Sequence, residues 1–485
     1  MNKKKNTLFL SIVALMSLTG CNNNSNVGNA SLGNNDIKES TSESSGELDL
    51  YVSHDSTNLF ATGTIDDPMS LPDAIRMSQP GATIYLLDGV YKYSTPIKVN
   101  AETEQYPAEK GKIKTLKPLN KGMVTFDFSA MPWGSSNRGL TFDNDYWHVK
   151  DFELFGAGDN GIYIGGNHNI IENINVHDCG DTGIQLGRKA SSYNNIEQWP
   201  SYNIIKNCTS YDNHDPTGED SDGFACKLTT GVGNVFDGCI AYNNVDDGWD
   251  LYTKGESGPI GAVTLINCVA FNNGITSGRH TNGRPYGTPN SDGNGFKLGG
   301  EVIAVPHKVI NCIAFNNLAS GFTDNSNPGT LYVENCTSYN NSLRDIDTNN
   351  FDFCRDVDTS INYMKNLFSY CDEGLKFTDG QTKIFNSKDQ YKGTVANSIF
   401  YFGRTMLKFD GVKECDYSQL ALMGTIYESD IKPFISTEIP NHLGDIHSLL
   451  RDENGNVSLG DFLKMNPEFV EAAYGTGIQI GADLA

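Results

Sequence analysis

Short runs of alternating apolar and polar residues recur through the middle of the chain. Each run begins with a glycine, followed by an apolar residue, a variable residue and usually a second apolar residue. The runs begin at Gly161, Gly183, Gly223, Gly248, Gly295 and Gly321. Alternation with a period of two is typical of a β-strand that has one face in the core. The pattern therefore predicts many short strands joined by turns.

A second motif, Asn-Cys-x-x-aromatic-x-Asn, lies between these runs. Its copies begin at Asn207, Gly238, Asn267, Asn311 and Asn335, and a degenerate copy begins at Asn173. Repeats of roughly 20 to 50 residues that contain short β segments indicate a solenoid or a propeller. A propeller blade needs four strands and about 40 residues. The shorter repeats favour an all-β fold, a right-handed parallel β-helix.

Stacked coils would place equivalent residues in columns about 4.8 Å apart. The repeated cysteines would then be small buried residues of the core, and the repeated asparagines would form a ladder of side-chain amides. Disulfides are the alternative: ten cysteines follow Cys21, and an even number invites disulfides if the protein is exported, as the N-terminus predicts below. We expect free buried thiols and assign both columns a structural role.

The two ends of the solenoid need covers, because terminal repeats expose apolar faces. Ser70 followed by Leu71 and Pro72 predicts a capped N-terminal helix, followed by first strands at residues 82–87 and 90–91. The predicted β-helix spans residues 48–414. Residues 415–485 are expected to be a C-terminal extension that covers the far end or packs along one side.

The N-terminus predicts export. Three lysines and an apolar segment, Leu8–Leu18, precede Cys21, and the segment is too short to span a bilayer as a mature helix. Residues 1–21 resemble a lipoprotein signal with Cys21 as the lipidated residue; an ordinary secretory signal is the alternative. Residues 22–47 are expected to be a flexible tether. We expect an outer-membrane or cell-surface lipoprotein that contacts the membrane only through its lipid, or else a secreted or periplasmic protein.

The 485 residues carry a formal net charge of −23. Such a charge argues against nucleic acid as a partner, because phosphate binding needs a basic surface. An acidic polymer still fits if cations lie between it and the protein. We expect a monomer.

The variable residue of each glycine run points outward, and the residue before each glycine lies beside it. The first column contains Tyr163, Gln185, Ala225, Asp250, Lys297 and Thr323. The second column contains Asn160, Thr182, Asp222, Asp247, Asn294 and Ser320. Three neighbouring coils thus carry Asp222, then Asp246, Asp247 and Asp250, then Lys297.

Four carboxylates on adjacent coils repel one another unless a cation lies among them. Oxygen ligands without histidine or cysteine suit Ca²⁺, so Asp222, Asp246, Asp247 and Asp250 are predicted calcium ligands. A solvated acidic turn is the alternative interpretation.

Lys297 is predicted to lie roughly 5 Å, one coil, from Asp250. A dication beside it would disfavour its protonated form and suit it to act as a base; a simple ion pair with Asp250 is the alternative. Lys227, Lys376 and Lys408 also point outward but are poorer candidates, Lys227 because it lies farther along its strand.

This combination suits β-elimination from a uronate polymer. Calcium would bridge the substrate carboxylate to the aspartates and stabilise the enolate-like charge that develops. A neutral lysine would remove the C5 proton, and the oxygen on C4 would leave.

The sequences around the aspartates and the lysine resemble those of polysaccharide lyase family nine. They are Ser221 to Ala225, Asp246 to Leu251 and Gly295 to Gly300. The resemblance extends from about Leu50 to the C-terminus and implies a right-handed parallel β-helix acting on pectin, an acidic plant cell-wall polysaccharide. It implies calcium ligation by Asp222, Asp246, Asp247 and Asp250, with Lys297 as the Brønsted base.

A long insertion, residues 274–292, precedes the predicted base. We hypothesise that it borders the substrate groove and that Arg279 and Arg284 bind substrate carboxylates.

Other functions remain open at this point. A β-helical polygalacturonase shares an Asp-Gly and an Asp-Asp on adjacent coils, but its Gly-His-Gly and Arg-x-Lys motifs are not found here. A surface glycan-binding protein with structural calcium is a non-enzymatic alternative. Within the lyase hypothesis, homogalacturonan (polygalacturonate) and rhamnogalacturonan I are both possible substrates.

Overall fold

The computed structural model describes residues 48–275, 292–344, 349–353, 362–376, 393–402, 405–415, 423–439 and 450–484. These residues belong to one compact unit, Leu48–Ala485. No helix in this part of the chain is long and apolar enough to cross a membrane. The predicted signal, Cys21 and the predicted tether lie outside the described residues and stay predictions.

The chain winds into coils whose strands stack in three parallel sheets. The strands of the first sheet are Leu50–Val52, Thr83–Leu86, Lys114–Pro118, Trp147–Lys150, Ile170–Glu172, Ile204–Lys206, Val235–Asp237, Thr264–Ile266, Lys308–Ile310, Tyr332–Glu334 and Asn362–Lys365. The strands of the second sheet are Gly89–Lys92, Val124–Asp127, Glu153–Phe155, Asn175–His177, Thr209–Tyr211, Ile240–Tyr242, Val269–Phe271, Ile313–Phe315, Thr337–Tyr339 and Phe368–Tyr370. The strands of the third sheet are Ile97–Val99, Leu140–Phe142, Ile162–Ile164, Ile184–Leu186, Phe224–Cys226, Trp249–Asp250, Phe296–Lys297, Phe322–Thr323 and Phe351–Asp352.

The stacking ends in a change of strand direction. Strand Gly393–Phe402 runs parallel to the last strands of the first and second sheets. Strand Thr405–Cys415 then pairs antiparallel with it, and Thr425–Tyr427 pairs antiparallel with Thr405–Cys415. The fold is therefore an all-β parallel helix, as the repeat predicted, with an antiparallel segment at its C-terminal end.

The third sheet holds the glycine runs in the predicted register. Tyr163 is paired with Gln185, Gln185 with Ala225, and Ala225 with Asp250. Asp250 is paired in turn with Lys297, and Lys297 with Thr323. The outward column deduced from the sequence is confirmed.

The core consists of columns of like residues. Five inward aromatic side chains of the third sheet stack with ring centroids 4.7 to 5.0 Å apart. They are Phe224, Trp249, Phe296, Phe322 and Phe351. The cysteines whose side chains are described are free and buried: Cys179, Cys208, Cys226, Cys239, Cys268, Cys312, Cys336 and Cys371. Free buried thiols are thus confirmed for these eight positions.

The asparagines of the Cys motif have two distinct roles. Those beside the cysteines adopt left-handed backbone conformations, for example Asn267 at φ 55° and Asn311 at φ 54°, which asparagine tolerates better than most residues. The last asparagines of the motif form the predicted amide ladder. In it, the Nδ2 of Asn244 donates to Asn273 Oδ1 at 3.0 Å, and the Nδ2 of Asn273 donates to Asn317 Oδ1 at 2.9 Å.

The ladder also explains the glycine that opens each run. A Cβ on Gly248 would lie 2.9 Å from Asn273 Nδ2 and 2.6 Å from the carbonyl oxygen of Gly295. No side chain fits between the amide ladder and the next coil, so the position needs glycine.

The N-terminal cover is the predicted helix, α1 (Leu71–Met77). Ser70 caps it by accepting from the backbone N–H of Asp73, and Leu71, Ala74 and Ile75 are buried. One expectation was wrong: the first strand is Leu50–Val52, which precedes the helix and pairs with Thr83–Leu86. Three residues are too few to show a period of two convincingly, so the pattern missed this strand.

The C-terminal segment packs along one side of the solenoid. The outward aromatic residues of the second sheet, including Tyr242, Phe271 and Phe315, form a buried cluster with Phe434, Phe462 and helix α2 (Pro467–Tyr474). Arg451 fixes this segment to the coils by donating to the backbone carbonyls of Cys208 and Gly238. The second sheet is therefore covered from outside along the coils from Tyr211 onward, whereas Val90 on its first strand is exposed.

The amide ladder makes a stability prediction. Asn273→Ala removes a fully buried side chain and leaves the backbone N–H of Asn244 and the carbonyl of Ala241 without their partner. We expect the free energy of unfolding to fall by at least about 2 kcal/mol, measured by chemical denaturation. Asn120→Ala, which removes an exposed bond to Asp88, is the control. Equal effects of the two substitutions would contradict a structural ladder.

Candidate active site

The outward face of the third sheet gathers the predicted acidic residues. Asp250 lies on a strand between Ala225 and Lys297 in adjacent coils. Asp222 and Asp247 come directly before the glycines of their coils, where the chain turns into the strand. Because the coils are in register, the two turns stack. Residues distant in sequence therefore meet at one place.

Three of the four predicted ligands form a compact cluster. Carboxylate oxygens of Asp222, Asp247 and Asp250 all lie within 4.8 Å of one another, and the three residues are buried. Such proximity among buried carboxylates is unfavourable unless positive charge is close by.

Asp246 is buried beside the cluster, but its carboxylate is not among the three that converge. Burial, and then the charges of Asp247 and Asp222, raise the pKa of Asp246 well above its ordinary value. Its Oδ1 has no hydrogen-bond partner. A fourth ligand at Asp246 stays a prediction.

Lys297 reaches the cluster from the next coil. Its Nζ lies 3.0 Å from Asp247 Oδ2 and 3.9 Å from Asp292 Oδ2. The nearest carboxylate is therefore that of Asp247, and not that of Asp250, which the column alone suggested. The turn before the glycine projects over the strand of the next coil, and strand pairing by itself does not reveal this.

Lys227, which its place farther along the strand made a poorer candidate, also lies in the aspartate cluster. Its Nζ lies 2.7 Å from Asp222 Oδ2 and 3.1 Å from Asp250 Oδ2, with only 13% of the side chain exposed. The strand ends at Cys226, so Lys227 lies in the turn and its long side chain folds back over the face. Two lysines, and not one, enter the aspartate cluster.

The electrostatics of the cluster are strongly coupled. Burial would lower the pKa of Lys297, but the charges of Asp247 and Asp250 raise it well above its usual value. The pKa of Lys227 is also raised well above its usual value, because Asp222 and Asp250 outweigh its burial.

The carboxylates respond differently according to their partners. Burial raises the pKa of Asp222 well above its ordinary value, despite the opposing charge of Lys227. Asp250 is also buried, yet the charges of Lys297 and Lys227 hold its pKa below the ordinary value. Asp250, which lies between the two ammonium groups, is therefore more readily ionised than Asp222.

The polar neighbours fix the orientation of the carboxylates. The backbone N–H and side-chain amide of Asn294 donate to Asp247 Oδ1 at 2.7 and 2.9 Å. The hydroxyl of Thr182 donates to Asp222 Oδ2 at 3.1 Å. Both residues belong to the column before the glycines, so the same stacking that brings the acids together also orients them.

The residues fit a divalent cation. Among the described residues, the four buried carboxylates, when all are ionised, exceed the two ammonium groups by two negative charges. Asp246 Oδ1 and Asp247 Oδ2 are buried without a hydrogen bond of good geometry, although the latter is close to Lys297. Buried oxygens without a donor are costly, and a cation that prefers oxygen ligands would satisfy them.

Several sequence predictions do not bear on this geometry. Arg279 and Arg284 lie outside the described residues and stay predictions. Lys376 is exposed, and Lys408 donates to the carbonyl of Ala473 in the C-terminal segment. Neither lysine enters the aspartate cluster.

The fold and the cluster define a parallel β-helix with a buried, cation-fitting acidic site on the outer face of one sheet. Residues 50–365 match the family described as Pel9A-like, right-handed β-helix region, and the chain belongs to this family.

Two curated relatives show the extent of the sequence similarity. Pectate lyase L from Paenibacillus polymyxa (strain SC2) is 49% identical over 300 residues, which cover 60% of this chain and 63% of that protein. Pectate lyase PEL9 from Emericella nidulans is 33% identical over 330 residues, which cover 61% of this chain and 73% of that protein. The chain thus spans less than two thirds of the first of these relatives.

Two solved structures share the fold. The crystal structure of pectate lyase Pel9A matches with a TM-score of 0.61 and 26% identity, over 86% of this chain and 89% of that one. A rhamnogalacturonan lyase matches with a TM-score of 0.60 and 22% identity, over 88% and 99% of the respective chains. The second likeness concerns the fold alone.

The position of Lys227 makes a second stability prediction. Lys227→Met removes the ammonium group that pairs with two buried carboxylates, so in the presence of a chelator the free energy of unfolding should fall by about 3–5 kcal/mol. Lys206→Met is the control, because Lys206 is 43% exposed and pairs with Glu172 at the surface; it should cost less than about 1 kcal/mol. Chemical denaturation measures both, and a small loss for Lys227→Met would show that its pairs are not structural.

Proposed function

We propose that this protein is a calcium-dependent polysaccharide lyase that cleaves the galacturonate backbone of pectin by β-elimination. One observation carries the proposal: the Nζ of Lys297 lies 3.0 Å from a buried cluster of three aspartates on the outer face of the β-helix. The 49% identity to a pectate lyase L supports the choice of reaction and of polymer.

Asp222, Asp247 and Asp250 would hold the calcium ion, and Asp246 is the proposed fourth ligand. Oxygen ligands and an excess of two negative charges suit Ca²⁺ better than softer metals. When bound, the ion supplies positive charge for the substrate carboxylate and for the charge that develops in the transition state.

Lys297 is the proposed base. Its Nζ must be neutral to accept the C5 proton, and the negative charges of Asp247 and Asp250 oppose this for as long as they are uncompensated. The C5–H electron pair forms the C4–C5 double bond, and the oxygen on C4 leaves with the other part of the polymer. Lys297 then carries the proton on Nζ.

Lys227 has a positioning role in this scheme. It holds Asp222 and Asp250 through the contacts described above and lies on the opposite side of Asp250 from Lys297. Its two carboxylate partners keep it protonated, so it is poorly suited to take a proton from the substrate.

Replacement of the base tests the reaction. Lys297→Ala should lower kcat on polygalacturonate in the presence of calcium by at least about 100-fold, measured by the ultraviolet absorbance of the unsaturated product. The exposed lysine of the first sheet, Lys308, provides the control Lys308→Ala, which should retain full activity. Reducing ends that form without ultraviolet absorbance would indicate a hydrolase, and unchanged activity of Lys297→Ala would remove the proposed base.

Calcium dependence has a readout separate from activity. Calcium at 100 times its dissociation constant should stabilise the protein by about 2.7 kcal/mol, seen as a rise in Tm that a chelator reverses. Asp250→Asn should diminish this rise, while Asp66→Asn, at an exposed position near the N-terminus, should preserve it. The same calcium-induced rise in both variants would place the ion elsewhere.

A further inference from the structure

A cationic cavity adjoins the aspartate cluster on the outer face of the third sheet. Its volume is about 460 Å³, and five cationic side chains line it together with one acidic side chain, Glu256. The cationic residues are Arg138, Arg188, Lys189, Lys227 and Lys254. The whole protein has a net charge of −23, so this concentration of positive charge is local. It suits an anionic ligand.

The cavity lies in line with the candidate active site. Tyr163 and Gln185 contribute to its walls, and they precede Ala225 and Asp250 in the outward column. Gln185 is thus two coils from Asp250, roughly 10 Å away. A polymer that follows the column from Lys297 towards the N-terminal coils would enter this cavity.

Three successive coils each contribute a cationic side chain just after their third-sheet strand. Arg188 follows strand Ile184–Leu186, Lys227 follows Phe224–Cys226, and Lys254 follows Trp249–Asp250. We refer to Arg188, Lys227 and Lys254 as the cationic row. Adjacent coils are about 4.8 Å apart, and the three cations follow their strands by one to four residues, so they line the same cavity without forming a paired column.

Two members of the row are available to a ligand. Lys227 is held by Asp222 and Asp250, and Arg138, also in the cavity, pairs with Asp159 and stacks on the ring of Tyr163. Among the described residues, Arg188 and Lys254 have no ion-pair partner. The backbone of Arg188 is fixed, because its carbonyl accepts from the hydroxyl of Tyr163 at 2.9 Å and its N–H donates to Thr229 Oγ1 at 3.1 Å.

The column is different on the other side of Lys297. It continues with Thr323 and Asp352, neither of which is cationic. Along this column the described residues beyond Lys297 therefore add no positive charge, in contrast to the cationic cavity on the N-terminal side of the cluster.

We infer that the cavity binds carboxylates of uronates that adjoin the sugar held at the aspartate cluster, with Arg188 and Lys254 as ligands. Arginine suits a carboxylate because its guanidinium donates in a planar fork. Since Lys227 is already held by two carboxylates, the two available cations lie on coils two steps apart, roughly 10 Å, and each can bind the carboxylate of a different uronate. This inference rests on the proposed function and adds to it a subsite for the carboxylates of neighbouring uronates.

Steady-state kinetics on polygalacturonate and on rhamnogalacturonan I test the inference. Arg188→Ala and Lys254→Ala should each raise KM for polygalacturonate roughly 10-fold, the loss expected for a charged hydrogen bond at a partly exposed site, with kcat little changed. Arg188→Lys should recover part of the loss because it retains the charge. Lys121→Ala, which removes an exposed lysine from a turn of an earlier coil, is the control and should leave KM unchanged.

The outcomes separate the two proposals. If the wild-type protein with calcium forms no unsaturated product from either polymer, the proposed function itself fails. If it cleaves polygalacturonate but KM stays unchanged in both variants, the lyase proposal stands and the cationic subsite is overturned. Lys254 is exposed, so its truncation leaves the packing intact, and a raised KM in Lys254→Ala cannot be attributed to misfolding.

Discussion

The structure depends on the parallel, in-register pairing of successive coils. This pairing places each position of the repeat directly beside the same position of the next coil, about 4.8 Å away. Where the repeat keeps the same residue type, a side chain therefore has a neighbour of its own kind, and the column must suit that kind of contact. Aromatic rings stack, thiols pack, and amides donate to amides. Glycine is required where the amide ladder leaves no space for a Cβ.

The same constraint makes a column of acidic residues costly. Buried carboxylates cannot stack as amides do, because they accept hydrogen bonds but do not donate them when ionised. Asp222, Asp247 and Asp250 interrupt two polar columns at adjacent coils, and Lys227 and Lys297 compensate only part of their charge. Together with the buried carboxylate of Asp246, the three exceed the two ammonium groups by two negative charges when all are ionised, and this imbalance and the buried oxygens without donors fit a divalent cation. The proposed chemistry thus takes place where the repeat departs from its structural pattern.

The outer faces of the second and third sheets differ in what covers them. The outer face of the second sheet carries an aromatic column, and the C-terminal segment covers it with Phe434, Phe462 and helix α2. The outer face of the third sheet carries polar and charged residues and leaves a cavity of about 460 Å³ open beside the acidic cluster. Positive charge gathers on that face even though the whole chain is acidic. A long anionic polymer would therefore follow the third sheet, where each coil can contribute one contact.

The sequence by itself determined the parallel β-helix, the free thiols and the amide ladder, and the outward column that contains Asp250 and Lys297. These features follow from strand alternation and from a repeat whose register is fixed by glycine and asparagine. Both patterns can be recognised in the order of residues along a single sequence. Only the tertiary structure decided that Lys297 lies closest to Asp247, that Lys227 folds back between Asp222 and Asp250, and that the carboxylate of Asp246 stands apart from the other three. These contacts depend on how turns project over neighbouring coils and on the direction of long side chains beyond the strand ends. The alternation along a strand predicts neither the projection of the turns nor the direction of a long side chain, because it specifies only the face of the sheet on which the Cβ lies.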